Sequence, residues 1–191
     1  MIENFNDYVK RAHETACAHG FHDERFSSEH WLMLVITEIS EMVEADRKNR
    51  HAAYSAIVYC DKHPEDFDKK SWATYFERDV KNTVEDEMAD VCIRIFDICG
   101  EFNIDMLRPK HDDKTLLSAW KLDFGEYSFA ERAFSMCVMI TDTTEEPSNI
   151  VSALLHFIYS WAHDMGINLD WHIEQKMRYN KTRSNKHGKK Y

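Results

Sequence analysis

Four acidic residues stand in two pairs of identical spacing, Glu38 with Glu41 and Glu87 with Asp90. Residues three apart occupy one face of an α-helix, a turn from each other. Two such helices facing across a bundle would offer four carboxylates to one spot. Oxygen donors without His or Cys among them favour a hard cation, Mg²⁺ or Mn²⁺, over zinc. Mg²⁺ keeps several waters, so a phosphate chain can complete its shell. A remaining carboxylate can then take a proton from a metal-bound water that attacks phosphorus, while the cations neutralise the developing charge.

The elements that must position these acids are helices. Val84 to Phe102 is apolar around most of its circumference, as befits a helix in the middle of a bundle. Along it Glu87, Asp90, Arg94, Asp97 and Glu101 recur at i, i+3, i+7, i+10 and i+14, one narrow line. Burying such a row costs several kcal/mol per ion unless positive charge meets it, and one arginine cannot neutralise four acids. The other pair falls in a helix from about Glu29 to Arg50, capped by Ser27 or Ser28, with core stripe Leu32, Val35, Ile36, Ile39 and Val43. An amphipathic helix from Asn4 to His19, closed by Gly20, precedes it. His51 to Lys62 extends the helical pattern, His63-Pro64-Glu65-Asp66 breaks it, and a helix restarts at Lys70 or Ser71 and runs on as the central one. Nothing in 51–80 carries recognisable chemistry.

A mixed, charged stretch from Ile104 to Tyr127 then links to helices at Ser128–Thr141 and Asn149–Asp164, the latter started by Pro147-Ser148. Its polar line, Asn149, Ser152, His156, Tyr159 and His163, repeats the spacing of the acidic one without the charges. The expected fold is one all-α antiparallel bundle over residues 1–191, built from a degenerate internal repeat of helix pairs. Residues 1–105 form its metal-binding half, and 106–191 a degenerate half ending in a short helix, Trp171 to Tyr179, and a basic tail.

Composition agrees. The chain has 191 residues, enough for one domain with a sizeable core, and 5 Gly with 3 Pro are too few for the turns of a sheet protein. The net charge of −10 argues against nucleic acid as main partner, yet seven Lys and Arg follow Glu174 with no acid after it. The remaining 17 cations face all 34 acids, an acidic body with a basic end that could hold a polyanion and its metal ions from two sides. Five cysteines form no CxxC pair, no leader pattern opens the chain, and no run reaches the roughly 18 apolar residues of a membrane span. A soluble protein of the reducing cytoplasm is expected.

Three segments, TEISEMVEADRK (Thr37–Lys48), EDEMADVCIRIFDICGEFNID (Glu85–Asp105) and KMRYNKTRSNKHGKKY (Lys176–Tyr191), resemble the MazG-like all-α nucleoside triphosphate pyrophosphohydrolases. That family's signature is ExxE, a gap, then ExxD, and the resemblance implies that Glu38, Glu41, Glu87 and Asp90 ligate Mg²⁺. It also implies that Lys176, Asn180 and Arg183, on a Lys-x-x-x-Asn-x-x-Arg pattern, contact phosphates. The gap between the acid pairs is longer than in compact members, and residues 106–175 intervene before the tail. Both features resemble larger, phage-like or dimeric dUTPase-type members. The implied reaction cleaves a nucleoside triphosphate to the monophosphate and pyrophosphate, with Glu41 nearest the attacking water and a homodimer as the assembly. Glu44 and Asp97 extend the acidic lines toward a further metal or a supporting shell, and Trp31, His30 and Asn103 are candidates for contacts to the base. Three rival readings stand beside this one. The chain could be a non-catalytic helical regulator whose tail binds a polyanion. Asp90–Arg94–Asp97 could be a structural ion-pair ladder. His111-Asp112 and His163-Asp164 could belong to an HD-type phosphohydrolase.

Overall fold

Short-range signals set the helix ends. In the computed structural model, which describes residues 5–62, 69–106, 127–142, 145–188 and 190, the helices are α1 (Asn6–Ala18), α2 (Ser28–Arg47), α3 (Ser55–Lys62), α4 (Lys69–Asp79), α5 (Val84–Glu101), α6 (Phe129–Thr141), α7 (Pro147–Asp164) and α8 (Leu169–Asn180). A 3₁₀ turn at Asn185–Gly188 follows, and no strand occurs among the described residues. Thr83 caps α5, its hydroxyl accepting the Asp86 N–H at 3.3 Å, and Glu85, Asp86 and Glu87 sit where the helix dipole favours negative charge. Ser128 and Glu131 close a reciprocal capping box at the start of α6, with bonds of 3.3 and 2.8 Å. Pro147 opens α7, where its missing N–H costs nothing. Gly20, at φ +77°, turns the chain out of α1 in the left-handed conformation that a Cβ disfavours.

Burial arranges these helices around α5. Only Asp90, Ile93, Arg94, Gly100 and Glu101 of that helix keep partial exposure. α1, α2, α7 and α8 all pack against it, and α6 packs on α2 and α7. One continuous apolar core results, running from Phe5 and Tyr8 through Val35, Met88, Ile95 and Phe96 to Leu154 and Trp161. A smaller cluster of Ile57, Trp72, Phe76, Val80 and Tyr179 holds the α3–α4 pair against the end of α8. The expected all-α bundle is what the chain forms. Among the described residues no helix is long and apolar enough to cross a membrane.

The reading of 70–102 as one helix is corrected. Asn82 adopts φ +58° and Thr83 is extended, so α4 ends at Asp79 and α5 starts afresh at Val84. Asn tolerates the left-handed conformation, and the new helix gains a cap. The break puts Lys81 and Asn82, just past residue 80, beside the acids. The break at His63 to Asp66, most of the linker after Ile104, and His111-Asp112 lie outside the described residues.

Gly100 marks the closest approach of α1 to α5: a Cβ there would stand 2.4 Å from Cβ of His13. Cβ cannot swing aside, so the helices must separate. Gly100→Ala should destabilise the protein by about 1–3 kcal/mol in urea unfolding, although alanine favours an isolated helix. A stabilised variant would show that the helices do not meet there.

Candidate functional site

Facing turns of α2 and α5 deliver the acids to one place, and α8 adds Lys176 and Asn180. One oxygen each from Glu38, Glu41 and Glu87 lies within 4.8 Å of the other two, and Asp86, Glu87 and Asp90 form a second group of the same kind. Glu87 therefore belongs to both. Glu38, Glu41, Glu87, Asp90, Lys176 and Asn180 line a cavity of about 210 Å³, with Arg183 beyond the end of α8 and Lys81 and Asn82 from the α4–α5 turn.

Two cations answer five carboxylates here. Lys176 Nζ donates to Asp86 Oδ2 at 2.6 Å and stands 2.7 Å from Asp90 Oδ2. Arg94 Nε donates to Glu38 Oε1 at 2.9 Å. Burial alone would discharge Lys176, but Asp90, Asp86 and Glu87 outweigh it and hold the ammonium charged. The carboxylates bear the remaining imbalance. Burial, reinforced by Asp90, pushes the Glu87 carboxyl up to about 8, and burial lifts Asp86 to about 6 against the pull of Lys176.

Glu87 is 3% exposed, and its Oε2 makes no hydrogen bond. Asp86 Oδ1 and Asn180 Oδ1 are likewise buried without one. A buried carboxylate oxygen with no donor, facing other carboxylates across a cavity, is costly unless a proton or a cation occupies the space. The donors are all oxygen, so the residues fit a hard divalent cation. Glu38, Glu87 and Asp90 are the groups best placed to hold one, and Glu41 is the exposed member of the set.

Other sequence-predicted residues lie elsewhere or act differently. Asp97 lines the same cavity, but its Oδ1 accepts from His13 Nδ1 at 2.9 Å and His22 Nε2 at 2.8 Å. Glu44 is outside the cavity and pairs with Lys48 and Arg47 on the surface. Trp31 and His30 do not line the cavity: Trp31 is buried against the His22 ring, and His30 stacks on Phe26 with centroids 4.0 Å apart. Asn103 is exposed at φ +53° just after α5 and does not line the cavity. The ion-pair ladder Asp90–Arg94–Asp97 is replaced by three separate pairings, since Arg94 reaches across to Glu38. Asp164, of the suggested HD pair, accepts from Arg132 at 2.9 Å away from the acids.

Sequence reasoning missed Asp86, although its i, i+4 relation to Asp90 was visible. It missed the His13 and His22 partnership with Asp97 because 84 and 75 residues separate them. The fold and the cavity thus define an all-α bundle whose pocket gathers carboxylates from α2 and α5, with Lys and Arg side chains among and around them. In comparison with known proteins, no family model, no curated protein and no solved structure matches this chain.

Glu87 also sets a pH dependence. Its folded value near 8 lies above the ordinary 4.5, so the folded state binds a proton that the unfolded state has lost between these limits. Stability in metal-free buffer should therefore fall as pH rises from about 4.5 to about 8. Glu87→Gln should remove that part of the slope, read as the urea midpoint of both proteins across the range. Parallel slopes would mean Glu87 is ionised throughout.

Proposed function

We propose that this chain is a Mg²⁺-dependent nucleoside triphosphate pyrophosphohydrolase, with Mn²⁺ as an alternative cation, which yields a nucleoside monophosphate and pyrophosphate. The observation that carries the reading is the meeting of Glu38, Glu41 and Glu87 within 4.8 Å, beside a buried Glu87 oxygen with no partner. The resemblance of the same residues to the MazG-like signature supports it from another direction.

Bound Mg²⁺ would supply charge neutralisation for the phosphates and a more acidic water. Glu38, Glu87 and Asp90 hold the cation's charge, and Arg94 and Lys176 fix the carboxylates that they pair with. Glu41, exposed at the cavity, takes the proton of the attacking water. Lys176 spends two of its three donors on Asp86 and Asp90, leaving one for a phosphate oxygen. Asn180 and Arg183 line the same cavity and receive the phosphate chain, Arg183 with its planar fork.

Because Glu41 is exposed, Glu41→Gln should leave thermal unfolding unchanged and lower Mg²⁺-dependent pyrophosphate release from nucleoside triphosphates by about a hundredfold or more. Full turnover in that variant, or tight polyanion binding that needs no Mg²⁺ together with no turnover in the unmodified protein, would sink the proposal and favour a regulator.

The same proposal includes a homodimer in a reducing cytoplasm. Phe134 and Val138 lie one turn apart on α6, 69% and 51% exposed, beside a groove lined by Met139, Ile150 and Ala153. A second copy covering this face would remove that apolar surface from water. Light scattering should report a dimer that Phe134→Glu dissociates. A monomer before the substitution ends that part of the reading.

A further inference from the structure

The lower half of the acidic line on α5 meets a different set of side chains. His13 and Cys17 are one turn apart near the end of α1, and the left-handed turn at Gly20 folds the chain back so that His22 joins them. One ligand atom each from His13, Cys17 and His22 lies within 4.8 Å of the other two. The His13 and His22 rings meet edge to face with centroids 4.6 Å apart.

Asp97 fixes which nitrogens face this space. It is 3% exposed, and its Oδ1 accepts from His13 Nδ1 and His22 Nε2. A carboxylate can only accept, so those two nitrogens carry the protons. His13 Nε2 and His22 Nδ1 are left for another partner. His13 Nε2 stands 3.6 Å from Cys17 Sγ. Tetrahedral zinc, with Zn–N near 2.0–2.1 Å and Zn–S near 2.3 Å, places such donors roughly 3.5 Å apart. His22 Nδ1 faces Glu101 Oε2 at 3.1 Å, so a carboxylate stands beside the second ring nitrogen. Trp31 stacks on the His22 ring at 4.7 Å and holds its orientation.

We infer that His13, Cys17 and His22 form a binding site for a borderline-soft divalent transition metal of the Zn²⁺ class, with Glu101 as the fourth donor. The nitrogen and sulfur donors separate it from the all-oxygen cluster around Glu87. Asp97 is its positioning residue, in the carboxylate–histidine–metal arrangement that sets ring orientation and tautomer. Cys17 is exposed, which gives the ion a way in. Occupancy would pin the end of α1 and its turn to α5, including Phe21, which lines the acidic cavity. The inference does not rest on the function proposed above.

Co²⁺ is the probe, added to the full-length, metal-free protein in excess Mg²⁺. One Co²⁺ per chain should bind, with the thiolate charge-transfer band and the intense visible absorption of tetrahedral coordination, and Zn²⁺ should displace it. Cys17→Ser should abolish the charge-transfer band. Asp97→Asn should weaken Co²⁺ binding by about 10- to 100-fold. Glu87→Gln should change neither signal. Octahedral Co²⁺ without the thiolate band, a band that survives Cys17→Ser, or binding lost to Mg²⁺ or to Glu87→Gln would each overturn the site. Cys17 is exposed, so failure of its variant to fold is not expected, and His22→Ala offers a second removal of one ligand.

Discussion

A row of carboxylates buried along one helix must be answered by positive charge, and the answer to that demand shapes the molecule. α5 carries Glu87, Asp90, Asp97 and Glu101 into the bundle on one line, with only Arg94 among them. In water each acid is solvated for nothing; inside the protein each costs several kcal/mol unless it is met. The structure divides the line into three. Lys176 from α8 meets the upper acids, Arg94 leaves the line to meet Glu38 on α2, and two histidines from α1 and its turn meet Asp97. The helices packed around α5 therefore bring charges as well as apolar faces.

This explains why the second half of the chain is needed for a site whose acids all lie before residue 105. Lys176 is 3% exposed and sits 90 residues from Asp86 in sequence. It can be held there only because Asn168 caps α8, because Ile173 and Met177 anchor that helix in the main core, and because Tyr179 joins the α3–α4 cluster. An ammonium buried without those acids would be discharged, and the acids without it would stay protonated or unfold the turn. The partial compensation matters in itself. The buried Glu87 oxygen is left without a donor, and the helix scaffold fixes these acids in place before any ligand arrives.

Much of this was legible in the sequence, and what was not follows a physical pattern. Local chemistry could be read: the Ser128–Glu131 box, Pro147 at a helix start, Gly20 at a helix end, and an apolar circumference that put α5 at the centre. The convergence of Glu38, Glu41, Glu87 and Asp90 could be anticipated because i, i+3 spacing fixes a face and only facing helices satisfy buried acids. The break at Asn82 escaped because asparagine is a weak stop, and the continuous charged pattern on either side hid it. Trp31 and His30 fall outside the cavity lining, a placement no local signal gives, because an aromatic beside an acid pair looks the same whether it packs or binds. Asn103 follows the end of α5 in the left-handed conformation, and the sequence does not separate a helix terminator from a polar contact because both share a residue type. Lys176 was expected to contact phosphates from the basic end of the chain, and its burial against Asp86 and Asp90 depends on which helix α8 packs against. The histidine partners of Asp97 had no local signal at all.

Arg94 has a consequence that its pairing with Glu38 does not exhaust. It stands between Asp90 and Asp97 on the line, its guanidinium 5.4 Å from the ring centre of Phe21, and both neighbouring acids help hold it charged against burial. A fixed positive charge at that point separates two acidic neighbourhoods that would otherwise merge into one strip of negative potential. Above it the donors are oxygens alone; below it they are imidazole nitrogen, thiol sulfur and the Glu101 carboxylate. Donor type and geometry, rather than overall attraction, decide which cation a site retains. One helix can therefore present two chemically different neighbourhoods on a single face, because a cation four residues after Asp90 and three before Asp97 keeps them apart.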